Sequence, residues 1–212
     1  MIERVPSMLI ILGVLAAVFC AVTLGSVIRG YRRQVALPRW TAVAIYVAYA
    51  LLGASVVAMA YIGYWPLGLS APLRFIIGFS LIAVGGAIQV AALRVFGSLK
   101  RMSGLRQDRL VRTGIYRLCR NPQNLGWLIV LAGVAILGNS GMALLSIGVL
   151  GVVYHVYVVK IEEPYLLGVY SDEYAAYLSR TPRYWGWRAG FNKWAAEPGA
   201  NTIERQLRSN RP

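Results

Sequence analysis

Four long stretches of this chain contain no Asp, Glu, Lys or Arg, and they constrain the fold more than any other feature. They are residues 5–28, 40–73, 75–93 and 121–159. A helix of about 20 apolar residues crosses the hydrocarbon core of a bilayer, so each stretch is long enough to span it. The chain is 58% hydrophobic, whereas soluble domains hold roughly 45–50% apolar residues. The sequence therefore predicts an all-α integral membrane protein.

The charge-free stretches predict five transmembrane helices. The first three are expected at about 8–28, 41–64 and 73–96. The stretch 121–159 is too long for one crossing, and the turn signal Gly138-Asn139-Ser140-Gly141 lies near its middle. We therefore expect a helical hairpin, with helices at about 124–137 and 142–160, as the last two crossings.

The tail after the hairpin predicts a short amphipathic helix on the cytoplasmic side. Ser171 is a favourable N-cap, and acidic residues follow it in the first turn. Tyr174, Tyr177 and Leu178 then share one helix face. Pro182 is expected to end this helix.

The basic residues indicate which loops face the cytoplasm. The formal net charge is +14, and of the 22 Lys and Arg residues only Arg4 and Arg74 lie outside the first loop, the third loop and the tail. This asymmetry follows the positive-inside rule and predicts that these segments are cytoplasmic. Anionic membrane lipids, not nucleic acid, are their expected partners. Arginine outnumbers lysine, which is typical of GC-rich bacterial genomes and favours a bacterial plasma membrane.

The cysteine and histidine content predicts no metal site. Cys20 and Cys119 are far apart in the sequence, and no CxxC, HExxH or histidine cluster exists. Such spacing favours two free thiols and no metal cofactor. His155, the one histidine, lies in the second hairpin helix. A polar residue there indicates function by default, and an interhelical hydrogen bond is its structural alternative.

Polar residues flank the predicted hairpin at both ends. Arg120, Asn121 and Pro122 precede its first helix, and Glu162 and Glu163 follow its second. Because a hairpin brings its two ends together, we expect the two clusters to be neighbours. They would form a polar pocket with apolar walls, in which the proline leaves backbone N–H groups available. Such a pocket suits a small zwitterionic cofactor presented to a membrane-dissolved substrate.

Four short blocks resemble a known family. Residues 114–126 read G-I-Y-R-L-C-R-N-P-Q-N-L-G, residues 162–166 read E-E-P-Y-L, residues 170–177 read Y-S-D-E-Y-A-A-Y and residues 181–183 read T-P-R. They resemble the isoprenylcysteine carboxyl methyltransferases and their phospholipid-methylating relatives. The family pattern is G-x-Y-x-x-x-R-H-P-x-Y-x-G, an apolar hairpin, E-E-x-x-L, F-G-x-x-Y-x-x-Y and V-P-R. The resemblance covers about residues 94–185.

Three departures from this pattern bear on the implied site. Asn121 stands where the family has His, and the resulting R-N-P is similar to the phospholipid-methylating relatives. Asn124 stands where the family has Tyr, which alters the acceptor side or a ring contact to the cofactor. Tyr170-Ser171 stands where the family has Phe-Gly.

The resemblance implies S-adenosylmethionine as methyl donor and assigns roles to particular residues. Those implied at the cofactor site are Tyr116, Arg120, Asn121, Pro122, Gly126, Glu162, Glu163, Tyr174 and Tyr177. Arg120 and Glu163 are the implied catalytic pair. Asn124, Arg180 and Arg183 are the implied contacts to the acceptor. The structural alternatives are a solvated helix end or a partner for nearby arginines for the glutamates, and a plain helix start for Asn121 and Pro122. For Arg120 the alternative is a lipid headgroup contact, and for the tyrosines it is packing.

The resulting interpretation is methyl transfer from S-adenosylmethionine to a lipophilic acceptor at the cytoplasmic membrane face. The acceptor is an isoprenylcysteine-like carboxylate or another lipidic small molecule. The alternatives are a phospholipid amine N-methyltransferase and a non-catalytic lipid-binding protein that retains the fold. The sequence leaves the reacting atom (O, S or N) open. The expected division is two N-terminal helices in 1–72, a methyltransferase core in 73–190 and a tail in 191–212.

Overall fold

The computed structural model describes residues 19–30, 39–97 and 110–185. Within these ranges all regular elements are helical. The helices are α1 (Phe19–Gly30), α2 (Arg39–Ile62), α3 (Ala71–Phe96), α4 (Pro122–Leu137), α5 (Gly141–Tyr157) and α6 (Glu163–Arg180). A 3₁₀ turn (Gly114–Arg117) precedes α4, and a π turn (Val158–Glu162) joins α5 to α6. Residues 8–18 of the predicted first crossing, and the predicted tail 191–212, lie outside the described ranges.

Within the residues that the structure describes, two helical units are long and apolar enough to cross a membrane. One is α3, and the other is the continuous unit Gly141–Arg180 that contains α5 and α6. The remaining apolar helices, Phe19–Gly30, Tyr46–Ile62 and Pro122–Leu137, are shorter. Since about 20 residues cross the hydrocarbon core, the apolar residues 141–159 suffice for a crossing, and the polar part from Lys160 onward extends beyond it.

Large apolar side chains cover the outer surface of the long helices. On α3, Ile76 and Phe79 are 66% and 60% exposed, and on α5 Val149 and Val152 are 59% and 64% exposed. Contiguous exposed apolar surface of this kind marks an interaction site, a membrane among them. The protein is a membrane protein, and these faces are suited to contact lipid.

The helix that was expected to begin at Ser171 begins earlier. The structure forms α6 from Glu163, and Ser171 interrupts it with φ 43° and ψ −120°. An N-cap residue has β-region dihedrals and accepts a backbone hydrogen bond, so Ser171 is a kink and not the predicted cap. Tyr174 and Tyr177 are both buried on the face of the second half, as their spacing predicts. The helix ends at Arg180, two residues before Pro182.

Glycines bring α3 and α4 into close contact. A Cβ placed on Gly85 would lie 2.7 Å from the carbonyl oxygen of Gly126, and one placed on Gly133 would lie 2.6 Å from that of Gly78. Small residues let helix backbones approach in membranes. The contact fixes the position of α4, whose first turn carries the polar residues Gln123 and Asn124.

The other face of α4 packs on α2 and α5. Val56 of α2, Leu131 and Ala135 of α4, and Ala143 and Ile147 of α5 form one buried cluster. At the far end of these helices the Gly141 N–H donates to the Trp65 carbonyl at 2.7 Å. The Ser140 side chain caps α5 by accepting from the Ala143 N–H at 3.3 Å. α4 is therefore held on three sides.

Two adjacent glycines of α3 give a matched test of this contact. Gly85→Ala places a methyl group against α4 backbone atoms, whereas a Cβ on Gly86 meets nothing within 4 Å. We expect Gly85→Ala to destabilise the protein by about 1–3 kcal/mol through overpacking. Gly86→Ala should be neutral or stabilising, since alanine favours a helix. Thermal unfolding in detergent measures both, and equal melting temperatures for the two variants would contradict the glycine contact.

Candidate functional site

A buried carboxylate between two guanidinium groups forms the centre of the site. Glu163 accepts from Arg183 through two bonds, Nε to Oε1 at 2.9 Å and Nη2 to Oε2 at 2.8 Å. Arg120 Nη1 lies 3.0 Å from the same Oε1, and the Arg120 and Glu163 side chains are only 2% and 6% exposed. Bidentate, charge-assisted bonds of this kind are strong and directional. Hydrogen bonding to Glu163 raises the pKa of Arg183.

This ion triad (Arg120, Glu163 and Arg183) confirms that the polar clusters on either side of α4 and α5 are neighbours. It also draws in the segment after α6, residues 181–185, here called the strap. The Arg120 N–H donates to the Pro182 carbonyl at 3.0 Å, and Asn121 Nδ2 donates to the Arg183 carbonyl at 3.4 Å. The Cys119 thiol contacts that carbonyl at 3.5 Å. Three separate segments thus meet at one carboxylate.

Aromatic residues fasten α6 to the 3₁₀ turn. The Tyr177 hydroxyl donates to the Tyr116 carbonyl at 2.6 Å. The Tyr116 ring packs edge-on against Phe96 at 5.4 Å, and Tyr174 lies 5.9 Å from Tyr177. Burial raises the pKa of the Tyr116 phenol, so the group stays neutral. The three tyrosines that the sequence assigned to the site are therefore together, and two of them pack on each other.

Glu162 is placed differently from its neighbour. It ends the π turn, is partly buried, and forms no ion pair with any residue of the described ranges. Burial, and then the adjacent Glu163 carboxylate, raise the pKa of Glu162 to about 7. π turns inside helices are frequent at functional sites. A carboxyl that ionises near neutral pH can hold a cation or accept a proton.

Not every predicted residue joins the triad. Gly126 faces α3, where a Cβ would lie 3.0 Å from the Gly85 carbonyl oxygen, so its place is explained by helix packing. Pro122 is fully buried at the start of α4. Arg180 is exposed at the end of α6. Asn124 lies on a different face and accepts at Oδ1 from the Tyr49 hydroxyl at 2.9 Å.

The sequence did not predict three residues near Asn124. Tyr49 of α2 donates a hydrogen bond to it. Tyr154 of α5 and Tyr184 of the strap line a groove between α4 and α5 together with Asn124. Tyr154 and His155 are adjacent polar residues in an apolar helix, a signal that could have identified α5 as one wall. Nothing in the sequence distinguishes Tyr49 from the other tyrosines of α2.

The residues present fit an S-adenosylmethionine-like donor, which combines an ammonium, a carboxylate, a sulfonium and an adenine ring. Glu162 offers a carboxylate whose charge the ion triad does not neutralise. The Tyr174 ring is buried and packs beside Tyr177. No group of three or more His, Cys, Asp or Glu that could hold a metal ion occurs in the described part of the chain.

Comparisons with known proteins agree with this arrangement. A family model described as phospholipid methyltransferase matches residues 73–173. The match begins in α3, includes α4 and α5, and ends in α6 just beyond the kink. No curated protein and no solved structure matches the chain significantly.

The ion triad predicts a large difference between two glutamates of α6. Glu163→Gln leaves two guanidinium groups without their shared carboxylate, and breaking a buried pair costs about 3–5 kcal/mol. Glu173 pairs with Arg112 at 3.3 Å on the surface, where both side chains are about half exposed, and such pairs contribute about 0–1 kcal/mol. Thermal unfolding should show a marked loss for Glu163→Gln and almost none for Glu173→Gln. Similar melting temperatures would refute the structural role of the triad.

Proposed function

We propose that this chain, a member of the phospholipid methyltransferase family, transfers methyl groups from S-adenosylmethionine to a lipophilic acceptor dissolved in the membrane. The family includes the isoprenylcysteine carboxyl methyltransferases. The observation that carries the proposal is the buried pair of Arg120 and Glu163, with Glu162 next to it in the chain, at the end of two apolar helices and inside the matched region. A polar donor and an apolar acceptor need such a boundary to meet.

The proposed topology has five crossings. The first is α1 with its preceding residues, followed by α2, α3, α4 and α5, with α4 and α5 as a hairpin. Because α4 is only 16 residues long, it begins within the membrane, where α3 and the strap cover its polar end instead of lipid. The basic loops and the tail then face the cytoplasm, and so does the ion triad. The supply of S-adenosylmethionine on that side of the membrane fits this orientation.

Glu162 is the proposed contact for the donor ammonium or ribose hydroxyls. The donor supplies a methyl group on a positively charged sulfur. Tyr174 and Tyr177 cover its ring, and Tyr116, Asn121, Pro122 and Gly126 form or support the opposite wall through the first turn of α4. Arg120 and Glu163 act in this proposal as positioning residues, since Glu163 pairs both with Arg120 and with Arg183 of the strap and so holds the strap beside the start of α6.

The protein's task in methyl transfer is alignment and exclusion of water. Holding two reactants in line supplies much of the rate without strong acid or base chemistry. The apolar wall of α4 and α5 excludes water from the acceptor, and Asn124, Arg180 and Arg183 are its proposed polar contacts. A carboxylate or thiolate acceptor needs no base. An amine acceptor must lose a proton, and Glu162, with its raised pKa, is the proposed base.

The second candidate is phospholipid amine N-methylation. The R-N-P sequence at residues 120–122 favours it, as does the description of the matching family model. A carboxyl with a pKa of about 7 also suits the proton transfer that an amine requires. A non-catalytic lipid-binding role differs from both candidates because it does not require donor binding.

The ionisation of Glu162 predicts a pH-dependent donor affinity. The carboxyl is charged only above its pKa of about 7, and only the charged form attracts the donor ammonium. We expect the affinity for S-adenosylmethionine, measured by calorimetry in detergent, to rise about tenfold from pH 6 to pH 8. In Glu162→Gln the affinity should be lower and nearly independent of pH.

Glu173→Gln is the matched control, because it removes an exposed carboxylate from α6, the helix that follows Glu162. It should keep the wild-type affinity and pH dependence. A wild-type affinity that is flat across this pH range, or a Glu162→Gln protein that binds as tightly as wild type, would contradict the assignment of Glu162.

A further inference from the structure

A groove of about 210 Å³ lies between α4 and α5, on the side of α4 that carries Asn124. Side chains of both helices and of the strap line it, among them Asn124, Leu125, Leu128, Tyr154, His155 and Tyr184. Most of its surface is apolar, and its few polar groups come from three separate segments. Sites for small molecules have this character.

The polar side chain of Asn124 in the groove is oriented by Tyr49, which does not line the groove. Tyr49 donates its hydroxyl to Asn124 Oδ1 at 2.9 Å. The Tyr49 ring is itself held, stacked on Tyr154 at 5.8 Å and edge-on to Trp127 at 6.1 Å. An asparagine amide has one carbonyl oxygen and one NH₂ group. Because Tyr49 engages the oxygen, Asn124 offers its NH₂ donors to the groove that it lines.

Exposed apolar side chains of α5 flank the groove. His155 is an exposed residue of α5, and its ring lies 5.9 Å from the Tyr184 ring. Around it on α5, Val152, Val153 and Val156 are 64%, 46% and 51% exposed. An opening set in exposed apolar surface of a membrane helix receives its ligand from the lipid phase.

The strap connects the groove to the proposed donor site. Arg183 belongs to the ion triad, and the next residue, Tyr184, lines the groove. The ion triad and the groove are therefore adjoining regions that share one short segment. A molecule in the groove contacts the segment that also carries Arg183 of the ion triad.

We propose that this groove binds the lipophilic acceptor and that Tyr49 is a positioning residue, acting through Asn124. The ligand is an amphiphile from the bilayer. Its hydrocarbon part lies on Leu125, Leu128 and the α5 valines, and its head presents a hydrogen-bond-accepting oxygen to the Asn124 amide. An ammonium head carries donors only and does not match an NH₂ group. That the bound amphiphile is the methyl acceptor rests on the proposed function, whereas lipid binding in the groove does not.

The test is photolabelling of the whole protein in detergent with a diazirine analogue of oleic acid, followed by mapping of the labelled peptides. We expect label in the segments 122–128 and 151–155, with displacement by oleic acid and weaker displacement by oleylamine. Tyr49→Phe should weaken the displaceable labelling about fivefold, the effect of one lost hydrogen bond. Tyr61→Phe, on the same helix and 92% exposed, is the control that should change nothing.

A second pair of variants tests the groove without altering the polar residues. Gly151 lines it, and a Cβ there would lie 3.6 Å from Leu128, in ordinary contact. Gly151→Leu should fill the groove and abolish displaceable labelling. Gly148→Leu, where a Cβ meets nothing within 4 Å, should not. The affinity for S-adenosylmethionine should stay within about twofold of wild type in all four variants, as expected where the altered residues do not contact the donor.

Three results would overturn the inference. They are label spread evenly over the apolar faces of α3 and α5, equal labelling of Gly151→Leu and Gly148→Leu, and stronger displacement by oleylamine than by oleic acid. If displaceable labelling is unchanged in Tyr49→Phe, the proposed positioning role of Tyr49 is wrong. Displaceable groove labelling in a protein that binds no S-adenosylmethionine would support the lipid groove and refute the methyltransferase proposal, so the two failures are distinguishable.

Discussion

The ion triad of Glu163 with Arg120 and Arg183 is the interaction on which the arrangement of the site depends. Its three charges are carried by segments far apart in the sequence: the residue before the first turn of α4, the start of α6, and the strap. A buried ion pair adds little net stability relative to apolar packing, but its loss is costly because the remaining charge is unpaired. The triad therefore favours the one arrangement of the three segments in which Glu163 contacts both arginines. With the hydrogen bonds from residues 119–121 to carbonyl groups of the strap, it closes the polar end of the α4–α5 pair.

The apolar part of the fold gives the triad its position. Glycines bring α3 against α4, and the cluster from α2, α4 and α5 holds the opposite side. α4 is thus fixed along its length, and its first turn presents different residues to different surroundings. Arg120 enters the triad before that turn, Gly126 contacts α3, and Asn124 faces the groove. The residues at the start of α4 can therefore contribute to the proposed donor site and to the proposed acceptor groove.

Much of this could be predicted from the sequence, because the strongest signals were local. Charge-free stretches located the helices, and a turn sequence separated α4 from α5. Ser171 was misjudged because cap preference says nothing about a helix that continues from α5 through a π turn. The mutual neutralisation of Glu163 and two arginines could not be predicted either, since Arg183 lies 20 residues away in sequence. Nor could Tyr49, whose contact with Asn124 spans 75 residues.

The most direct test of methyl transfer is incubation of the purified protein with S-adenosylmethionine labelled in its methyl group and a total bacterial lipid extract. We expect label to appear in the organic phase in proportion to active protein, and excess unlabelled S-adenosylhomocysteine to suppress it. Chromatography of the labelled product then identifies the acceptor. If a folded protein that binds the donor transfers no label to lipid, the lipophilic-acceptor proposal is wrong. If it binds neither donor nor S-adenosylhomocysteine, the family fold serves a non-catalytic role here.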